Sequence, residues 1–270
     1  QQQQQQQQHL IIIIIVMFPP INLELYEKRI YSQNGEDGIT MKLIETLILP
    51  YLPKSKWDSG YFVEFGVEQG TECNTRIIRE NYGWNGLHMD CCYENPSANL
   101  HKEYITRENI LALFEKYGVP AHIQVLSVDI DYNDFYVLYE VLQKYECDII
   151  ICEYNATHLP VNDCVVRYDE HGHWDYTNYF GASLLAYYKL GRYFGYSLVY
   201  CESNGVNCFL VNDDVLKKTG FSFINMNKVA KVYRPPKYGV GPNGGHSQDT
   251  HNRAYVSSGD ILYAGRCECA

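Results

Sequence analysis

Positive charge is in short supply in this sequence. Lysine and arginine together number 22 against 32 aspartates and glutamates, a formal charge of -10. Binding a nucleic-acid backbone needs clustered basic side chains, so nucleic acid is excluded as the expected partner. There is no C-x-x-C pair and no zinc-like cysteine spacing, although the chain has 10 cysteines. Most are expected to be free, buried thiols of a reducing compartment. The cytoplasm is therefore the favoured location, with a disulfide or two in the secretory pathway as the alternative. No apolar run approaches the roughly 20 residues that cross a bilayer, so no membrane span is expected. No internal repeat is visible. The dinucleotide signature G-x-G-x-x-G is missing too, which disfavours an NAD-dependent oxidoreductase.

An initiator methionine is also lacking, so the sequence reads as a fragment or a trimmed gene model. Eight glutamines precede His9, and "LIIIIIVMF" follows from Leu10 to Phe18. That run has the length of a signal-peptide core but neither a basic leader nor a small-residue cleavage site. Glutamine tracts are usually disordered. Three regions follow: residues 1–20 outside the fold, a domain over 21–230, and a loop-rich tail over 231–270. Apolar residues make up 46% of the chain, ample for a core. The 25 tyrosines suit a polar-aromatic core and surface, or stacking on carbohydrate.

Periodicity alternates between strand and helix. Ile39, Leu43, Ile44, Leu47 and Ile48 give a helix over 37–48, stopped by Pro50 and Pro53. "YFVEF" (61–65) is a buried strand, and Thr71 to Tyr82 reads as a helix capped by Thr71. Leu87 to Asp90 is a short strand, and a further one is expected near 104–106. "RENILALFEKYGVP" is a helix, "HIQVLSVDID" a strand, "NDFYVLYEVLQKY" a helix and "CDIIICEYNA" a strand. Tyr179 to Tyr193 reads as a helix, and the strand pair that follows turns at Asn204-Gly205. Alternation implies a parallel sheet with helices on both faces. The closing hairpin makes the expected class a Rossmann-like α/β fold of the class I methyltransferase kind. Regular signals fade after Asp213, and "RPPKYGVGPNGGHSQDTHNR" is long enough to be a lid or a binding loop.

Ligands of open α/β sheets bind beyond the carboxyl ends of the strands. Glu64, Gly66, Glu68 and Gly70 follow the first strand, where glycines permit close approach of a ligand. Asp90 ends the second strand, placed to accept from ribose hydroxyls. The E-x-G arrangement is more typical of S-adenosylmethionine than of NAD. The next two strand ends carry Asp129, Asp131, Asn133 and Asp134, then Glu153, Asn155 and His158. Asn133 or Asp134 is expected to cap the following helix. Asp131, Glu153 and Asn155 offer hard oxygen ligands suited to Mg²⁺ or another divalent cation, or one carboxylate is a general base. Asn155-Ala156-Thr157 is a glycosylation sequon, read as a site or turn because it directly follows a strand. Among the histidines, His158 is the best placed for catalysis. His246 is a candidate base on a lid, and His171 with His173 is read as surface.

In order, "YSQNGEDGI", "FVEFGVEQGTECNTR", "GWNGLHMD", "ITRENI", "LSVDIDYNDFYV", "IICEYNA" and "YFGASLLAYYKLGRYFGYSLVYCESNGVNCFLV" resemble the FkbM-type methyltransferases, over about Tyr31 to Asn212. The resemblance implies a fold that binds S-adenosylmethionine and methylates hydroxyls of sugars or other small molecules. It puts Glu64 and Gly66 in the cofactor loop, Asp90 at the ribose, and Asp129 or Asp131 near methyl transfer. It also implies that Ser32, Gln33, Glu36 and Asp37 close over the cofactor. Two departures stand out. Cys91 and Cys92 follow Asp90 where small or polar residues are expected, and Tyr132 replaces an expected glycine, narrowing the acceptor pocket. The rival reading is a non-catalytic methyltransferase-like binding or scaffold domain.

Overall fold

The computed structural model describes residues 18–241 and 244–264. The glutamine tract, nearly all of the apolar run after it, and Cys267 and Cys269 lie outside the described residues.

Seven strands form one sheet. They are β1 (Tyr61–Phe65), β2 (Asn85–Asp90), β3 (Leu100–Lys102), β4 (His122–Val128), β5 (Glu146–Glu153), β6 (Tyr196–Cys201) and β7 (Asn207–Asn212). Their spatial order is β3-β2-β1-β4-β5-β7-β6, and β7 runs antiparallel to both of its neighbours. The rest of the sheet is parallel. This is a mixed α/β, Rossmann-like arrangement with an antiparallel end.

Strand side chains alternate between two cores, as period-two geometry requires. Val63, Phe65, Leu87, Met89, Ile150 and Cys152 face α3 (Ile110–Lys116), α4 (Asp134–Leu142) and α5 (Leu184–Phe194). Phe62, Ile149, Ile151, Phe209 and Val211 face α1 (Glu36–Leu47), α2 (Arg76–Tyr82) and α6 (Asp213–Thr219). Both faces of β1, β4 and β5 are therefore dry, which explains their near-continuous apolar sequence.

Several boundaries differ from the sequence reading. α2 begins at Arg76, and Thr75 rather than Thr71 precedes it. The residues between are drawn into a loop because Glu64 binds the amides of Asn74 and Thr75. The third short strand is Leu100–Lys102, not 104–106, paired to β2 behind a turn at Pro96–Ala98. α5 starts at Leu184, where the Ser183 hydroxyl accepts from the Ala186 amide. Beyond Asp213, the weakly periodic sequence still forms α6, Val229–Val232 and Ser258–Leu262. The tail is packed on the domain. The backbones of Val165 and Val256 exchange two 2.9 Å hydrogen bonds, and the Tyr154 hydroxyl donates to the Arg234 carbonyl at 2.6 Å.

The entry to α1 is fixed by one carboxylate. Asp37 Oδ2 accepts from the amides of Ile30, Tyr31 and Ser32 and from the Ser32 hydroxyl, at 2.7 to 2.8 Å. Removing that oxygen strands several donors at a buried position. Asp37→Ala is expected to cost about 3 kcal/mol or more in urea unfolding. A loss under about 1 kcal/mol contradicts this account of the segment.

Candidate functional site

The carboxyl ends of β1, β2, β4 and β5 meet at one place, and a glycine sets how closely. Gly66 has φ +67°, and a Cβ there would stand 1.7 Å from the Asp129 carbonyl oxygen. No other residue fits. The Gly66 amide also donates to the Met89 carbonyl at 3.0 Å, so the chain leaving β1 is pressed between β2 and β4.

Glu64 and His88 are register partners on β1 and β2, and both are buried. Glu64 Oε1 accepts from the Asn74 amide at 2.8 Å. Oε2 accepts from the Thr75 amide at 2.9 Å and the Thr75 hydroxyl at 2.6 Å. Both oxygens hold the loop, so Glu64 shapes the site from beneath it. Thr75 Oγ1 also lies 2.9 Å from His88 Nε2, and His88 Nδ1 lies 2.9 Å from the Ala98 carbonyl. Burial pushes His88 below the ordinary imidazole range, and Glu64 partly restores it.

Asp90 joins two loops. Oδ2 accepts from the Glu68 amide at 2.8 Å, while Oδ1 accepts from the amides of Cys92 at 2.8 Å and Tyr93 at 3.2 Å. Glu68 (φ +49°) and Gly70 (φ +73°) turn the first loop, and Gly70 donates to the Val67 carbonyl. A carboxylate has about four lone-pair positions, so Oδ2 retains one for a further donor.

Asp129, Asp131 and Glu153 come together, with one carboxylate oxygen of each within 4.8 Å of the others. Asp131 is exposed and has φ +65°, a conformation unusual for a residue with a Cβ. No lysine or arginine pairs with the three among the described residues. Burial, then Asp131, Asp134, Glu64 and Glu36, push Asp129 well above the usual carboxylate range. Burial with Asp129, Asp131 and Asp134 does the same to Glu153. Asp131 is raised by desolvation along its inner side, then by Asp90 and Glu68. Asp134 rises to about 7, chiefly through burial.

Asn155 does not join this group. It is fully buried, its Nδ2 donates to the carbonyls of Asn178 and Phe180, and its Oδ1 accepts from the Thr157 amide and hydroxyl. Its amide is committed to folding the segment after β5, which corrects the expected metal trio: Asp129 stands where Asn155 was expected. The same burial removes the sequon as a glycan acceptor in the folded chain. His158 lies apart from the carboxylates. Its ring meets Tyr255 edge-on at 4.5 Å, and burial alone lowers it to about 4. It is therefore a neutral ring at pH 7.

His246 sits among Trp174, Tyr238 and Phe180, lowered by burial, while His171 and His173 are exposed. Asn133 precedes α4 but makes no side-chain cap; its Nδ2 donates to the Asp169 carbonyl. Asp134 Oδ1 reaches back to the Ile130 amide at 2.6 Å, holding the turn that carries Asp131. Tyr132 is buried against Tyr179 and lines a groove of about 690 Å³ with Arg167, Tyr168, Asp169 and Arg253.

Sequence reasoning missed three residues at this end of the sheet. Asn207 is Glu153's register partner on β7. Its Nδ2 donates to Glu36 at 2.8 Å and its buried Oδ1 has no partner. Glu202 accepts from the amides of Asn204, Val206 and Asn207, and burial lifts it to about 7. The buried, unpartnered Tyr238 hydroxyl feels Glu153, Glu202 and Asp129. Pairing the hairpin against "CEYN" would have found Asn207; the others depend on tertiary approach.

No family model matches the chain, and no curated protein is similar enough to count as a relative. No helix among the described residues is long and apolar enough to cross a membrane.

Carboxyls raised in the folded state bind protons that the unfolded chain has already released, so stability falls as pH rises through their folded values. Asp134 and Glu202, both lifted to about 7, set the window. The depressed histidines oppose this slope, because unfolded imidazoles take up protons near pH 6.5 that the buried rings refuse; comparing a carboxyl variant with the parent protein cancels their contribution. Unfolding free energy is expected to rise on acidifying from about pH 8.5 to about pH 6.5, by up to about 1.4 kcal/mol per pH unit per proton. Asp134→Asn, which keeps the acceptor for the Ile130 amide, should reduce that slope in urea titrations. An unchanged slope in the variant contradicts the assignment.

Proposed function

We propose that this protein is an S-adenosylmethionine-dependent methyltransferase acting on a hydroxyl of a carbohydrate or small molecule, with a divalent cation at Asp129, Asp131 and Glu153. The observation that carries the reading is the strand-end junction. Gly66 is packed against the Asp129 carbonyl, and Asp90 ties the loop after β1 to the loop after β2. The glycine lets the ends of β1 and β4 close up beside Asp90, and the free acceptor position on Asp90 Oδ2 suits a ribose hydroxyl. The strand order, with antiparallel β7 inserted between β5 and β6, supports the same reading. By itself a fold does not establish an activity.

The residues also fit a cation. Three carboxylates without a basic partner, beside the unpartnered Asn207 Oδ1, form an all-oxygen set that favours a hard divalent ion. Bound there, the ion would acidify and orient an acceptor hydroxyl. The sulfonium cofactor supplies the electrophilic methyl group. This chain's contribution is placement. Asp90 and the Gly66 to Gly70 loop hold the nucleoside end, and Asp131 receives the proton of the acceptor oxygen. Its exposure lets the proton pass to water. The groove beside Tyr132 is lined by Arg167, Asp169, Glu170 and Arg253 as well as tyrosines, polar groups suited to a hydroxylated acceptor.

Two variants separate the roles. Asp90→Asn is expected to weaken cofactor binding about 10- to 100-fold in calorimetry, a hydrogen bond to a charged group being worth ~1.5–3 kcal/mol. Asp131→Asn should leave that binding intact, abolish the stabilisation given by Mg²⁺ or Mn²⁺ in thermal unfolding, and abolish transfer. Unchanged cofactor affinity in the first variant, or undiminished cation stabilisation in the second, contradicts the corresponding assignment.

A further inference from the structure

Cys91 and Cys92 are a motif that this function leaves unused. They directly follow Asp90, both are exposed, and their sulfurs lie 3.2 Å apart. The other described cysteines are buried, apart from the half-buried Cys164, so an oxidant in solution meets this pair first. The pair is also tied to the site. Asp90 Oδ1 holds the amides of Cys92 and Tyr93, and Oδ2 of the same carboxylate holds the Glu68 amide.

We propose that Cys91 and Cys92 form a redox modification site, at which a small disulfide oxidant converts the two thiols to a vicinal disulfide and releases the loops that Asp90 holds. The exchange balances. One protein thiolate attacks a sulfur of the oxidant and expels one thiol. The second protein sulfur then attacks the mixed disulfide and expels the other. Two electrons pass from the protein sulfurs to the oxidant, and two protons leave Cys91 and Cys92 and end on the two released thiols. Closure has a geometric consequence. Consecutive Cα atoms are about 3.8 Å apart across a trans peptide, below the roughly 4.4–6.8 Å of ordinary disulfides. The ring therefore closes only if the 91–92 peptide twists, and that peptide carries the Cys92 N–H bound 2.8 Å from Asp90. A bond formed under such constraint is readily reduced, as a reversible switch requires. Burial, Cys92 and Asp90 push Cys91 up to about 11, which slows its attack and calls for mildly alkaline pH in the test.

The test uses the full chain and is independent of the cofactor reading. The protein is treated with oxidised glutathione at mildly alkaline pH, alkylated and peptide-mapped, and amide hydrogen exchange is compared before and after. The expected product is one peptide carrying both cysteines unalkylated and lighter by two hydrogens. Exchange at Cys92, Tyr93 and Glu68 should quicken about tenfold, as the loss of a hydrogen bond implies, and dithiothreitol should reverse it. In Cys92→Ser the oxidant should leave exchange at Glu68 unchanged. Four results overturn the proposal: both thiols remaining alkylatable, a stable glutathione adduct or a bond to another cysteine, a vicinal disulfide without faster exchange, or faster exchange persisting in Cys92→Ser.

Discussion

The contact between Gly66 and the carbonyl oxygen of Asp129 governs this end of the molecule. A methyl group at residue 66 has no room, so β1 and β4 end side by side and the chain after β1 turns sharply away. That turn brings the Glu68 amide to Asp90, and it sends the following residues across β1 to where Glu64 can bind Asn74 and Thr75. Two carboxylates thus fold the loop from opposite sides, one beneath it and one beside it. The same contact fixes the backbone that carries Asp129 next to Glu153.

The result is a crowd of acids. Glu36, Asp129, Asp131, Asp134 and Glu153 influence one another, and no lysine or arginine pairs with them among the described residues. Such an arrangement costs folding free energy in the absence of protons or a cation. Carboxylates shifted in this way by burial and by one another are the kind that active sites gather. The left-handed backbone at Asp131 points the same way, since local strain gathers at sites of function. Asp37 and Glu202 accept several backbone amides each and act as girders.

Much of this was legible in the sequence. "YFVEF" and "CDIIICEYNA" read correctly because strands buried on both faces are almost wholly apolar. The hairpin read correctly because Asn204-Gly205 is a strong turn signal. Gly66, Asp90, Asp129, Asp131 and Glu153 stood out by their position at strand ends. What escaped is tertiary. Thr71 looked like a helix cap because nothing local reveals that Glu64 pulls Asn74 and Thr75 inward. Asn155 looked like a ligand because its neighbours Asn178 and Phe180, which absorb its amide, lie more than twenty residues away. Tyr238 reaches the acidic group from far along the sequence, so spacing carried no sign of it.

The most direct test is calorimetric titration of the protein with S-adenosylmethionine, with NAD as the control and with Mg²⁺ present or absent. The account predicts micromolar binding of the first ligand, none of the second, and a magnesium-dependent change in the acidic site. A folded sample that binds no S-adenosylmethionine contradicts it, and a non-catalytic binding domain of the same fold then becomes the better reading.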